Sequence, residues 1–277
     1  NTATRGSRKE FPSVAVIVLE AGGSTEGTSV DFTIYDGDTP DLVMWMQYRF
    51  VISSGGSNTS VSALNGVIVF GATNNGMLVS NFIEDTMRVH NHVHRHTYAP
   101  ISPGRLGRTT AANMIESGAL GFSIINEIVN DVAMTVLPNA PIDSTTGVAT
   151  DGGVSVIKDD GNVWDINRTT GSNAWQNVSI ENNKVYMSSD LNTSGSFWAV
   201  NMPQSDLGGY PIVTGGVAYT ATSTPAMLKY ADNFTISKDN VVIASLTSGR
   251  SGLTYLKENP TTPSKGSVAY LTSTYNS

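Results

Sequence analysis

Apolar and polar positions alternate along this chain in short bursts, and one strand–turn–strand phrase returns. Residues 61–82 read VSALNGVIVFGATNNGMLVSNF, residues 178–200 read VSIENNKVYMSSDLNTSGSFWAV and residues 234–256 read FTISKDNVVIASLTSGRSGLTYL. Each holds an alternating segment, an Asn/Asp/Gly turn, a β-branched or aromatic segment, a small polar loop and a third alternating segment. A period of two puts successive side chains on opposite faces of a strand, so the phrase predicts antiparallel strands joined by tight turns. Looser copies lie at 14–38 (VAVIVLEAGGSTEGTSVDFTIYDGD) and 132–167, which opens VAMTVLPNAP. Units begin near 14, 61, 132, 178 and 234. Their spacing, roughly 45 to 70 residues, exceeds the period of WD-type blades.

A small sheet cannot bury both its faces alone, so neighbouring copies must cover it. The expected fold is all-β: a β-propeller of about five (five to seven) four-stranded blades with loop insertions. The expected organisation is a polar N-terminal arm over 1–10 and one propeller domain over 11–277, with an insertion at about 97–130. In the first unit VAVIVLEA, VDFTIYDGD and LVMWMQYRF read as three strands. The run LVMWMQYRFVI, 42–52, is too apolar for a free edge. It should pack against another layer or another subunit, which makes Leu42, Met44, Trp45, Met46, Tyr48 and Phe50 candidate interface residues. Residues 86–96 read as the outermost strand of the next unit. Residues 97–130 break the rhythm with the Pro/Gly loop APISPGRLGR and a short helix over 110–117, which Gly118 would end.

Composition narrows the function. The chain has 277 residues and only 14% charged side chains, well below the usual quarter. That suits short strands and many turns. A net charge of −7 gives no basic footprint, so nucleic acid is not an expected partner. There is no cysteine for disulfides or thiolate metal sites. No apolar run approaches the roughly 20 residues that span a bilayer, so no membrane partner is expected. The start, NTATRGSRKE, has neither an initiator Met nor a signal-like apolar core, which reads as a processed product or a piece of a longer chain.

All four histidines fall in RVHNHVHRHTY, as His90, His92, His94 and His96. On one strand, alternation would set all four on one face. Imidazole binds zinc, iron and nickel, and adjacent histidines from three chains could supply six nitrogens on a threefold axis. The alternatives are a solvated polar edge strand that resists sheet pairing, or a pH-sensitive subunit contact. Asp36, Asp38 and Asp41 in YDGDTPDL could hold calcium, but D-G and T-P are also ordinary turn chemistry and the twelve-residue calcium loop is absent. Turn is the favoured reading. No other metal or cofactor is expected.

Asp159, Gly161 and Trp164 in IKDDGNVW resemble a degenerate Asp-box, the hairpin phrase of sialidase-like propellers, with Ile157 where Ser or Thr usually stands. The resemblance implies a structural turn: the acid caps it and the tryptophan packs between blades. The chain has no G-x-S-x-G elbow, phosphate loop, H-E-x-x-H or dinucleotide fingerprint, so no catalytic residues are assigned and an enzyme is not expected. Trp45, Trp164, Trp175, Trp198, Tyr186, Tyr210 and Tyr219 offer sugar-stacking faces, although aromatics at blade positions are more often core.

The phrases FPSVAVIVLEA, TIYDGDTPDLVMWM, SVSALNGVIVFG, NDVAMTVLPNAPID and VATDGGVSVIKDDGNVWDI resemble a family of phage virion proteins. These are large tail-fibre or tailspike-like structural polypeptides, often followed by concanavalin-A-like lectin modules. The resemblance runs from about 11 to 270 and departs at 88–108. It carries no catalytic residues. It implies a virion protein of the tail or its fibres, extracellular in the particle, contacting other virion proteins and forming a homo-oligomer such as a trimer. The sequence ends about where a lectin-like module would begin. Two rival functions remain open: a carbohydrate-binding propeller reading host surface glycan, and a polysaccharide depolymerase, whose paired acids sequence cannot identify.

Overall fold

A computed structural model describes residues 11–20, 29–51, 57–74, 76–84, 86–92, 95–98, 114–118, 123–137, 144–167, 174–189, 196–207, 217–219, 233–237, 240–245, 252–257 and 267–271. The described strands form five sheets, in each of which neighbours in sequence are neighbours in space. The first holds β1 (Ala15–Glu20), β2 (Ser29–Asp36) and β3 (Met44–Val51). The second has six strands: β4 (Asn58–Leu64), β5 (Val67–Ala72), β6 (Gly76–Asn81), β7 (Thr86–His90), β8 (Arg95–Tyr98) and β9 (Met114–Gly118). The third holds β10 (Val129–Val136), β11 (Ser144–Thr150), β12 (Gly153–Ile157) and β13 (Val163–Ile166). The fourth holds β14 (Asn177–Glu181), β15 (Lys184–Ser189), β16 (Ser196–Asn201) and β17 (Val217–Tyr219). The fifth holds β18 (Asn233–Ser237), β19 (Asn240–Ser245), β20 (Gly252–Lys257) and β21 (Ser267–Leu271).

The recurring phrase is one hairpin in one register. Leu64 pairs Val67 across Asn65-Gly66, and Glu181 pairs Lys184 across Asn182-Asn183. Both central residues have positive φ in each turn: 50° and 74° in the first, 51° and 59° in the second. That is the turn whose twist matches the flanking strands, and Asn and Gly tolerate it best. Ser237 likewise pairs Asn240 in the fifth sheet.

The chain divides into two compact units, Asn1–Val129 and Asn130–Ser277, where the sequence reading draws one domain over 11–277. In the first unit the opening sheet gives Phe32, Ile34, Trp45 and Met46 to a core completed by Ile68, Phe70, Ala72, Leu78 and Met87 of the second sheet. In the second unit, Ala149, Val154, Val156 and Ile166 of the third sheet meet Val178, Ile180, Val185, Met187, Trp198 and Val200 of the fourth. Gly147 lets the two sheets approach: a Cβ there would lie 2.9 Å from Val178 Cγ2. On the far side of the fourth sheet, Phe197 meets Phe234 of the fifth edge to face at 5.1 Å. Inner strands such as β5, β12 and β15 are therefore buried on both faces. Within each unit, adjacent sheets shield one another.

Two expectations are corrected. Residues 114–117 are strand, not helix: β9 pairs with β8, and that pairing outweighs a weak helical pattern. Residues 86–96 are not one strand but β7, a turn and the start of β8. Trp45 and Met46 of the apolar run at 42–52 pack against another layer, one of the two covers expected for it. Trp45, only 4% exposed, and Met46 are buried inside the first unit, because Ile34 opposite Met46 faces the same core. Leu42 is exposed and Met44 half-buried; the side chains of Tyr48 and Phe50, like the arm at 1–10, lie outside the described residues.

Candidate functional site

The histidines sit on a hairpin. Strand β7 pairs with β6 as far as His90 opposite Met77, and β8 then returns with Arg95 opposite His90 and His96 opposite Val89. Directly opposed residues share a face, and neighbours along a strand do not. His90 and His96 therefore hold positions on opposite faces of the sheet, which corrects the expectation of four histidines on one face. A turn resets the alternation that places side chains along a single strand. His90 is buried, while His92 is half-exposed in the connection. His94 and the side chain of His96 lie outside the described residues.

Residues 123–128 lace this hairpin to its own sheet. The Ile124 amide donates to the Asn91 carbonyl at 3.0 Å, and the Gly76 amide donates to the Glu127 carbonyl at 2.9 Å. His92 Nδ1 lies 3.0 Å from Glu127 Oε2. The imidazole thus has a carboxylate partner within its own chain. Among the described residues, no group of three His, Asp or Glu stands close enough to hold a metal ion.

The Asp36–Asp41 segment is a turn in which Asp36 and Asp38 hold backbone amides. The Asp38 carboxylate accepts from the amides of Ser13 and Val14, each at 2.9 Å, which fixes the entry into β1. Asp36 Oδ1 accepts from the Asp38 amide, and the Thr39 hydroxyl donates to the Asp36 carbonyl. Asp41 is exposed.

The Asp-box-like hairpin folds as a turn with one correction. The capping acid is Asp160, not Asp159: its carboxylate accepts from the Asn162 amide at 2.9 Å and from Asn162 Nδ2 at 2.7 Å. Those two bonds, the amide first, hold the Asp160 carboxyl below its ordinary pKa. Asp159 points to solvent, Gly161 takes φ 83°, and Trp164 is half-buried opposite Val156. The acid one residue nearer the glycine has the shorter reach to the turn amide.

Two features carry no sequence motif. One is the outer face of the first strand. Ala15, Ile17 and Leu19 pack on the core, while Val14, Val16 and Val18 are 57%, 39% and 44% exposed. Their alternation was visible; which face lay uncovered was not. The other is a pair of acids at the edge of the third sheet. Asp165 Oδ1 accepts from the buried Ser155 hydroxyl at 2.6 Å, and Asp206 Oδ1 accepts from the Asp165 amide at 3.0 Å. Burial pushes the Asp165 carboxyl up; the Ser155 bond opposes this and the Asp206 charge adds to it.

Of the candidate sugar platforms, Trp45, Trp175, Trp198 and Tyr186 are buried. Trp175 and Trp198 meet edge to face at 5.2 Å within the second unit's core. These aromatics are packing residues. Tyr210 and the side chain of Tyr219 lie outside the described residues.

No family model and no curated protein matches the chain. Solved structures do. A nidogen/laminin complex is similar at 9% identity over 92% of this chain and 78% of that one, with a TM-score of 0.45. The polycomb repressive complex 2 of Chaetomium thermophilum is similar at 8% identity over 93% of this chain and 55% of that one, TM-score 0.45. Hsv2 of Kluyveromyces lactis is similar at 11% identity over 91% of this chain and 83% of that one, TM-score 0.39. Other matched chains are longer, and this one spans 44% and 52% of two of them. The all-β antiparallel sheets, three of the five described being four-stranded, match β-propeller structures, and the likeness is one of fold alone.

Proposed function

We propose that this chain is a structural part of a phage tail or tail fibre, a stiff oligomeric platform that contacts other virion proteins and supports host attachment. One observation carries the reading. The sheets bury their apolar faces against one another within each unit, yet the row Val14, Val16, Val18 stays uncovered on the first strand. A stiff body with an unspent apolar row suits contact by shape rather than chemistry. The phrases that resemble those of phage virion proteins supply the context, and Asp36, Asp38, Asp160 and Asp206 serve as turn and edge ligands.

Sedimentation of the purified chain, with immunogold labelling of purified particles, tests the proposal. The expected result is a discrete oligomer and label on the tail. A monomer whose antibody marks no part of any particle would count decisively against it. A glycan array with the isolated chain separates the carbohydrate-binding rival. Digestion of host capsule, compared between the native chain and Asp165→Asn/Asp206→Asn, separates the depolymerase.

A further inference from the structure

We propose that residues 202–207 are a built-in guard for the open edge of the third sheet, keeping it from pairing with the same edge of a second copy. Strand β13 is the last strand of its sheet, so one side of its backbone faces away from the ladder. Such an edge is a template for another strand. Here the segment following β16 closes it. Leu207 forms a parallel bridge with Ile166. The Leu207 amide donates to the Asp165 carbonyl at 2.8 Å, and the Asn167 amide donates to the Leu207 carbonyl at 3.0 Å. The Asp165 amide, which the short bridge does not reach, donates to the Asp206 carboxylate instead. Three outward backbone groups of the β13 edge are thus satisfied by two consecutive residues.

The guard is anchored at both ends. Met202 is buried in the second unit's core, and Leu207 packs against the same cluster. Between them Lys158 Nζ donates to Gln204 Oε1 at 3.4 Å, tying the segment to the Asp-box-like turn. A single parallel bridge is a poor way to build a sheet, since regular pairing extends over several residues. It is enough to occupy an edge. A carboxylate in place of a strand amide partner is itself a deterrent: it puts a negative charge where an incoming strand would lay its backbone. The natural intruder is the identical edge of another copy, because a strand of the same sequence pairs antiparallel with itself in register.

The test uses the full chain with Asp206→Ala, which leaves every strand's own ladder intact, and with Asp206→Ala/Leu207→Pro, which also removes the Leu207 donor. Hydrogen exchange at the Asp165 and Asn167 amides reads release of the guard; sedimentation across a concentration series reads association. The expected result is exchange faster by about tenfold or more at those amides, with concentration-dependent species beyond those of the native chain. Adding Asn167→Pro, which deletes an outward amide, should return the sedimentation pattern to the native one. Unchanged exchange would mean that Asp206 and Leu207 do not hold the edge. Faster exchange with native sedimentation would mean that the edge needs no guard. Either result overturns the proposal, and neither bears on whether the native chain belongs to a phage tail.

Discussion

Gly76 has φ 75°, and a Cβ there would run into the His90 carbonyl oxygen and lie 2.9 Å from Asn91 Cα. Its amide meanwhile holds the Glu127 carbonyl. Gly76→Ala therefore opposes both the backbone conformation and the seating of the histidine hairpin, and should destabilise the chain by roughly 2–4 kcal/mol in denaturant titration. Gly161 makes a control: it shares the left-handed backbone at φ 83°, but a Cβ there meets nothing within 4 Å. Gly161→Ala should cost only the conformational part, about 1–2 kcal/mol. Equal costs at the two positions would show that the contact with the hairpin is worth nothing. Asp165 gives a prediction in pH. Its folded pKa is raised above 3.8, chiefly by burial. Between 3.8 and the folded value the folded state holds more protons than the unfolded one, so stability falls as pH rises across that window. The contribution is complete below 3.8 and gone above the folded value. Asp165→Asn can still accept the Ser155 hydroxyl and should flatten this slope in midpoints measured across the window. Asp160 works in the opposite sense: its lowered pKa adds stability that is lost as pH falls below 3.8, so the two acids are read in separate windows.

Hairpins are the elements in which sequence spoke most clearly. The turn β14–β15 needs positive φ at both Asn182 and Asn183. Asn183→Gly should be neutral or stabilising by a few tenths of a kcal/mol, and replacing both by Ala should cost about 2 kcal/mol or more, since each alanine must adopt a left-handed backbone. Thermal midpoints check both; a stabilising double alanine would show that the turn is not of this kind. Turn signals likewise made the hairpins Leu64–Val67 and Ser237–Asn240 legible, and with β14–β15 they mark the start of the second, fourth and fifth sheets. Legibility ended where a feature depended on pairing across the chain. Asn91 and His92 lack the Gly or Pro that announces a turn, so the histidines read as one continuous strand. Met114 and Ile115 carry too little periodicity to oppose a helix, and only β8 decides their state. The choice between another layer and another subunit as the cover of Trp45 and Met46 stayed open, because nothing local marks Ile68 and Phe70 as the residues they meet. Asp206 and Leu207 lie in a segment without periodicity, so a lone parallel bridge leaves no trace in sequence.

For the whole molecule, the proposed assembly can be held in three ways that respond differently to solvent. Its charged content is low and its net charge is −7, so copies repel one another at neutral pH. Contacts made through the valine row would have to overcome that repulsion by burying apolar surface. Screening removes the opposing term: at about 1 M salt the screening length falls to about 3 Å. An apolar assembly should therefore hold or tighten as salt rises, and a chelator should leave it unchanged. Dissociation in high salt would point to ion pairs between copies, and dissociation by chelator would return the histidine hairpin to a metal-binding role. Replacing the row by Val14→Ser/Val16→Thr/Val18→Thr separates the remaining case, because Ala15, Ile17 and Leu19 still anchor the strand to its core. Sedimentation should then show weaker assembly with native circular dichroism. An oligomer as tight as the native one would mean that the contact surface lies elsewhere, and the row would lose its place in the proposed function.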